Sequence, residues 1–204
     1  MEVLLSQLLA IDWIEFAGLV AGLVCVGLLI RQNIWTWPIG IVYVCISLWV
    51  FLQARLYADL GLHIVFLALN CYGWWYWARG ANDAAEDVEV TTTSPMLLLG
   101  VVAIAMVAAY ASGSWFAVNT DAALPYWDNT TTMLSLAAMW LSTRKKLENW
   151  VLWLVVDVIA TGVYYYKGLY FYSVLYLVYC GMAVQGWLSW RASMRPSTAE
   201  AVPA

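Results

Sequence analysis

Apolar residues in this chain come in seven long runs, separated by short polar breaks and one longer polar stretch. The runs extend from about Trp13 to Ile30, Ile34 to Gln53, Tyr57 to Trp77, Met96 to Trp115, Asp128 to Ser142, Trp150 to Tyr166 and Leu169 to Trp190. Most hold about 17 to 22 residues, which at 1.5 Å per residue crosses roughly 30 Å of hydrocarbon, so each run predicts one transmembrane helix. Arg31-Gln32-Asn33 leaves room only for a tight turn between the first two, and Ala54-Arg55 joins the second to the third. The stretch Arg79 to Ser94, with Asp83, Glu86, Asp87 and Glu89, reads as the one long polar loop. Pro95 then restarts a helix at a position where its missing N–H costs nothing. Residues 1–12 read as an interfacial lead-in without the basic start of a signal peptide, and residues 191–204, with Pro196 and Pro203, as a disordered tail.

The runs are not independent. A shift of 113 residues superposes Arg31 on Arg144, Trp37 on Trp150, Leu56-Tyr57 on Leu169-Tyr170, Gly73-Trp74 on Gly186-Trp187 and Trp77 on Trp190, without a gap. Matches at Trp and Gly at constant offset mark a duplicated unit. The fourth run, rich in Val, Ala, Met and Leu, has no counterpart and reads as a linker helix. The fold class predicted is an all-α membrane protein with seven transmembrane helices in a 3+1+3 parallel repeat. The first unit covers 13–78, the polar loop 79–94, the linker helix 95–117 and the second unit 118–190. Four spans separate equivalent positions, so both units point the same way and their pseudo-twofold axis lies along the membrane normal. Such repeats place a solute site between the units near the midplane.

Composition agrees. With 64% hydrophobic and 11% charged residues, a soluble chain of 204 residues lacks the polar side chains to cover its surface. The 14 Trp and 13 Tyr suit headgroup-level belts, although many lie mid-span. Seven of the nine basic residues, Arg31, Arg79, Arg144, Lys145, Lys146, Arg191 and Arg195, fall on one side, against Arg55 and Lys167 on the other. The positive-inside rule then puts the carboxyl terminus in the cytoplasm and the amino terminus outside. A net charge of −4 gives no nucleic-acid footprint, and Cys25, Cys45, Cys71 and Cys180 lack metal-site or disulfide spacing. No metal and no cofactor is expected, and no catalytic residue.

Polar residues inside the runs carry the functional question. Trp150, Trp153, Asp157, Thr161 and Tyr164 recur at i, i+3, i+7, i+11 and i+14, one helical stripe. A mid-span carboxylate costs about 2.5–3.5 kcal/mol on insertion scales, so Asp157 either faces a cavity or ties helices together. The third run offers Asp59, His63, Phe66, Asn70, Gly73 and Trp77 on one face. His63, the only histidine, fits a ligand contact, a proton relay or an interhelical bond. The Asn70 amide both donates and accepts, which suits a carboxamide or a sugar hydroxyl and also suits helix packing. The seventh run adds Tyr172, Tyr176, Tyr179 and Gln185, with Tyr176 the repeat partner of His63. The candidate solute-binding set is Trp37, His63, Phe66, Asn70, Trp150, Trp153, Asp157, Tyr176, Tyr179 and Gln185.

These residues favour a flat aromatic cation. Cation–π attraction reaches about 2 kcal/mol or more once desolvated, and an ionised Asp157 adds complementary charge. No Arg or Lys lies mid-span to meet a phosphate, and no Gly-rich nucleotide loop or soluble domain supplies ATP hydrolysis, so a facilitator or secondary transporter is expected. An intramembrane enzyme would need more than one His and one Asp. A receptor or structural membrane protein would leave the stripes on both units without a use.

The segments NIWTWPIGI (33–41), LYADLGLHIVFLALNCYGWWYW (56–77), WDNTTTMLSLAAMWLSTRKKLENWVLWLVVDV (127–158) and GLYFYSVLYLVYCGMAVQGWLSW (168–190) resemble the PnuC family of bacterial vitamin transporters. The resemblance covers about residues 13–190. It implies a fold related to the SWEET transporters, often trimeric, in the inner membrane. It also implies facilitated import of nicotinamide riboside, made one-way by a cytoplasmic kinase that phosphorylates the arriving vitamin. Other branches of the family carry thiamine, riboflavin or deoxynucleosides, with thiamine the chief alternative. Asn70, Trp150, Trp153, Gly73 and Gly186 match the family pattern. His63, Asp157 and Gln185 depart from it, standing where riboside-carrying members have Gln, Asn and Asn. The Asp157 departure keeps an oxygen acceptor and loses a donor.

Overall fold

The computed structural model describes residues 13–53, 57–82, 89–121 and 123–194. Seven α-helices are present among them: α1 (Trp13–Ile30), α2 (Thr36–Gln53), α3 (Tyr57–Asn82), α4 (Pro95–Asn119), α5 (Pro125–Thr143), α6 (Asn149–Tyr166) and α7 (Tyr170–Ser193). Each apolar run yields one helix, with ends set by local chemistry. The Asn33 side chain accepts the Trp35 N–H at 2.9 Å, holding the chain in a turn, so α2 begins later than the apolar run. Ser94 caps α4 by accepting the Leu97 N–H at 3.3 Å, with Pro95 in the first turn. The third helix continues past Trp77 to Asn82, so the loop expected from Arg79 starts later, and α7 likewise runs beyond Arg191. The lead-in 1–12, the acidic positions 83–88 and positions 195–204 of the tail lie outside the described residues.

Six helices form a closed circuit. Helix α1 packs on α2, α2 on α3, α3 on α5, α5 on α6, α6 on α7, and α7 back on α1, while α4 packs on α5 alone. Replacing each helix by its repeat partner maps this list onto itself, which is what a twofold axis through the circuit requires. The backbone repeats as well. Gln32 and Lys145, equivalent positions, both adopt left-handed conformations, φ 53° and 49°. In each turn the third residue donates its N–H back to a leucine at the helix end, Asn33 to Leu28 O and Lys146 to Leu141 O, both at 2.9 Å.

Large apolar side chains are widely exposed, and several polar ones are found among the buried residues. Buried side chains include Asn70, Ser142, Thr143, Asn149, Asp157 and Ser173, whereas Trp49, Ile64, Leu99, Ile104, Val107, Tyr110, Val158, Leu177 and Leu188 are exposed. Apolar side chains facing outward suit lipid, and polar ones facing inward suit a solute path. Helices α4 and α7 are long and apolar enough to cross a bilayer judged singly; the apolar stretches Phe16–Ile30 and Thr36–Trp49 of α1 and α2 are shorter. Hydroxyls in the remaining helices bond their own backbone, as in buried Ser142 Oγ to Ala138 O at 2.9 Å and half-buried Thr161 Oγ1 to Asp157 O at 2.7 Å, so these polar positions cost little.

Candidate functional site

The end of the circuit that carries Arg31, Arg144 and Arg191, the basic end, is filled by two copies of one device. Trp37 lies flat on Gly73 and meets Trp77 edge-on, with ring centroids 5.3 Å apart at 83°. Trp150 lies on Gly186 and meets Trp190 at 5.4 Å and 90°. Glycine is required at both places, because a Cβ there would sit 2.5 Å from the indole ring atoms. Trp77 and Trp190 approach each other at 6.3 Å, and each donates its indole N–H into the opposite unit, to Thr143 O and Leu29 O, both at 3.1 Å. Above Trp77, Lys145 stacks at 4.6 Å from the ring centroid, and Arg144 lies 5.0 Å from the Tyr76 ring and 5.4 Å from that of Tyr72. All four rings are nearly inaccessible, and this end is closed in the structure.

A strap crosses the turn after α5. Thr91 pairs with the turn after α5, its N–H to Lys145 O at 3.1 Å and its C=O from the Leu147 N–H at 2.9 Å. The Thr93 N–H donates to Glu148 Oε2 at 2.9 Å, and Lys146 Nζ donates to Thr91 Oγ1 at 2.8 Å. Val90 inserts among Ile30, Leu147 and the four tryptophans.

Further along the helices the twofold relation breaks, and the polar chemistry lies where it does. Asp157 on α6 is 6% exposed and occupies the position of Val44 on α2. Its carboxyl is within electrostatic reach of the Tyr176 and Tyr179 hydroxyls and the Cys180 thiol on α7. Tyr164 stacks on Tyr176 at 5.1 Å and 23°, Tyr172 lies 5.6 Å from Tyr164, and Tyr176 meets Tyr179 at 5.8 Å and 72°. Among the described residues the ion pair is Lys167 with Asp128 at 2.9 Å, at the end opposite the basic one, and no cation neutralises Asp157. On α3, Asn70 is buried against Gly40 of α2, and His63 meets Phe66 edge-on at 5.8 Å.

The structure therefore brings Asp157 within electrostatic reach of Tyr176 and Tyr179. It places Asn70, His63 and Phe66 on α3, a helix that packs on α2 and α5 and does not pack on α6. Trp153 is half-buried, its indole N–H given to Ser142 Oγ at 3.2 Å. Trp37 and Trp150 are buried, each with a glycine against its ring and a second tryptophan edge-on to it, so neither stands open in this structure. Gln185 is exposed on α7 and is not gathered with Asp157. The side chain of Asp59 lies outside the described residues. Sequence reasoning missed Gly22 and Gly40. The Tyr179 hydroxyl lies where a Cβ at Gly22 would be, at 2.6 Å, and the Asn70 carboxamide lies where one at Gly40 would be. The available signal was the repeat itself, since Gly22 and Gly40 stand opposite Ser135 and Trp153.

An apolar-faced, duplicated helix circuit with a linker helix outside it, closed at one end and polar within, is the architecture of a small-solute membrane transporter. The chain belongs to the family described as nicotinamide mononucleotide transporter, whose model matches residues 12–192. It is 29% identical over 209 residues to the nicotinamide riboside transporter PnuC of Escherichia coli, covering 91% of this chain and 87% of that one. It is 28% identical over 200 residues to the riboflavin/roseoflavin transporter RibM of Streptomyces davaonensis, covering 91% and 90%. The crystal structure of the vitamin B3 transporter PnuC shares the fold, with a TM-score of 0.70 at 21% identity over 94% of this chain and 88% of that one. The chain is a membrane transporter of this vitamin-carrying family, and its relatives are transporters rather than enzymes.

Proposed function

We propose that the chain imports nicotinamide riboside by facilitated diffusion, entering at the Lys167 end and leaving at the basic end on the cytoplasmic side. The observation that carries this reading is Asp157, a buried carboxylate without a cationic partner among the described residues, beside tyrosine rings. An uncompensated buried charge is costly, and a pyridinium ring supplies both the missing charge and a face for stacking. A phosphorylated solute finds no basic residue within the spans, so the dephosphorylated riboside is preferred to the mononucleotide. Phosphorylation by a cytoplasmic kinase then traps the solute. The working unit is a homotrimer, each protomer divided at 13–78, 95–117 and 118–190. Thiamine, also an aromatic cation, meets the same electrostatic requirement. A neutral isoalloxazine is the reading favoured by the similarity to RibM and disfavoured by Asp157. Counter-flow in proteoliposomes preloaded with nicotinamide riboside, thiamine or riboflavin tests the proposal. Exchange of labelled riboside with its own kind is expected, and exchange confined to riboflavin would overturn it.

A further inference from the structure

Asn70 and Gly40 form a pair whose counterpart in the second unit is built the other way round. The 113-residue shift puts Gly40 on Trp153 and Asn70 on Ala183. In the second unit the equivalent positions are an indole on the second helix and an alanine on the third, with Trp153 partly buried against the apolar cluster that contains Ala183. In the first unit an amide from the third helix occupies the space left by a glycine of the second, with Asn70 Oδ1 lying where a Gly40 Cβ would be.

The amide does not hold the two helices together. Its hydrogen bond runs from Nδ2 to Phe66 O at 2.9 Å, one turn back on its own helix. Among the described residues the second Nδ2 hydrogen and Oδ1 are left unspent. An interhelical role would instead show a bond across to α2. An apolar residue would fill the same volume without the cost of burying an amide.

We propose that Gly40 is a positioning residue for solute recognition. By lacking a side chain it lets the Asn70 carboxamide lie against α2, with one donor and one acceptor free for a hydrogen-bonding group on the solute. The inference rests on the transport reading above, with Asn70 as the group that touches solute and Gly40 acting through it. A methyl group at position 40 displaces the carboxamide, and the solute loses that hydrogen bond.

The test is a double-mutant cycle on the full-length protein in proteoliposomes and detergent, with nicotinamide riboside as probe. Asn70→Ala is expected to raise KM about ten-fold at unchanged maximal rate. Gly40→Ala is expected to raise KM by the same factor and to lower the melting temperature. The double variant Gly40→Ala/Asn70→Ala is expected to regain the melting temperature while its KM equals that of Asn70→Ala alone. If Gly40→Ala does not fold, the comparison of the double variant with Asn70→Ala carries the test. A KM that Gly40→Ala leaves unchanged, or KM effects that multiply in the double variant, would overturn the proposal. If the wild type does not carry the riboside, the riboside reading fails, and the cycle is decided with whichever of thiamine or riboflavin does exchange.

Discussion

Gly186→Ala probes the device that closes the basic end. The added methyl would sit 2.5 Å from Trp150 Cδ2, Cε2 and Cε3, whereas carbon atoms rest about 3.5–4.0 Å apart, so ring or helix must shift by about 1 Å. Trp150 is 2% exposed and is backed by Trp190, so the ring has nowhere to go without disturbing the edge-on pair. Overpacking of this kind costs about 1–3 kcal/mol, and weakening the aromatic pair adds about 0.5–1.5 kcal/mol. The expected destabilisation is about 2–4 kcal/mol. Gly73→Ala meets Trp37 at the same 2.5 Å and should cost the same within about 1 kcal/mol. The smaller ring of Trp150→Phe should recover part of the loss in the Gly186→Ala background and none in the Gly73→Ala background. The assay is thermal unfolding of purified protein followed by loss of the monodisperse chromatographic peak. A Gly186→Ala protein as stable as wild type, or rescue by Trp150→Phe in both backgrounds alike, would refute the close-approach argument.

Other outcomes follow from the same geometry. Asp157→Asn should leave the melting temperature near that of wild type and weaken binding of a cationic vitamin about ten- to a hundred-fold, read by calorimetry; lower stability with unchanged affinity would make the residue a helix tie. Lys167→Met should change stability by less than about 1 kcal/mol and leave flux unaltered, because its pair with Asp128 is solvent-exposed; a large loss of transport would give the pair a gating part. Transport should continue without proton or sodium gradients, since Asp157 is the one acidic residue of α6, and α7 has none to pair with it as a relay; counter-flow that collapses on dissipating either gradient would contradict this. Cysteines introduced at 83–89 should resist an impermeant reagent in intact cells and react in inverted vesicles, and the reverse would invert the orientation.

Much of the fold was legible because a bilayer imposes a simple code of run length and because the duplication prints Trp and Gly at fixed spacing. The stripes on the third, sixth and seventh helices were visible for the same reason: period 3.6 survives in an apolar background. What could not be read was how the stripes divide. Trp37, Trp150 and Trp153 look alike in sequence, yet the first two are consumed by Gly73 and Gly186 while Trp153 is only half-buried, a distinction that depends on which small residue lies across from each ring. Gln185 groups with Tyr172, Tyr176 and Tyr179 as a polar residue of the seventh run, but it stands nine residues from Tyr176, about half a turn round the helix, and is exposed. The strap at Val90–Thr93 gave no signal, because its backbone and side-chain hydrogen bonds reach residues some 55 positions away and Thr-Thr-Thr reads as loop. The closed circuit itself rests on α3·α5 and α1·α7 contacts between residues far apart in the chain, which no local pattern specifies.

Calorimetric titration of nicotinamide riboside, thiamine and riboflavin into the wild-type protein and Asp157→Asn tests the central claim most directly, because charge is the variable that separates the solutes and the variable that the substitution removes. The account predicts that the riboside binds wild type, that affinity for both cations falls about ten- to a hundred-fold in Asp157→Asn, and that any riboflavin binding is indifferent to the change. Tighter binding of riboflavin than of either cation to wild type, or cation affinities untouched by Asp157→Asn, would contradict it.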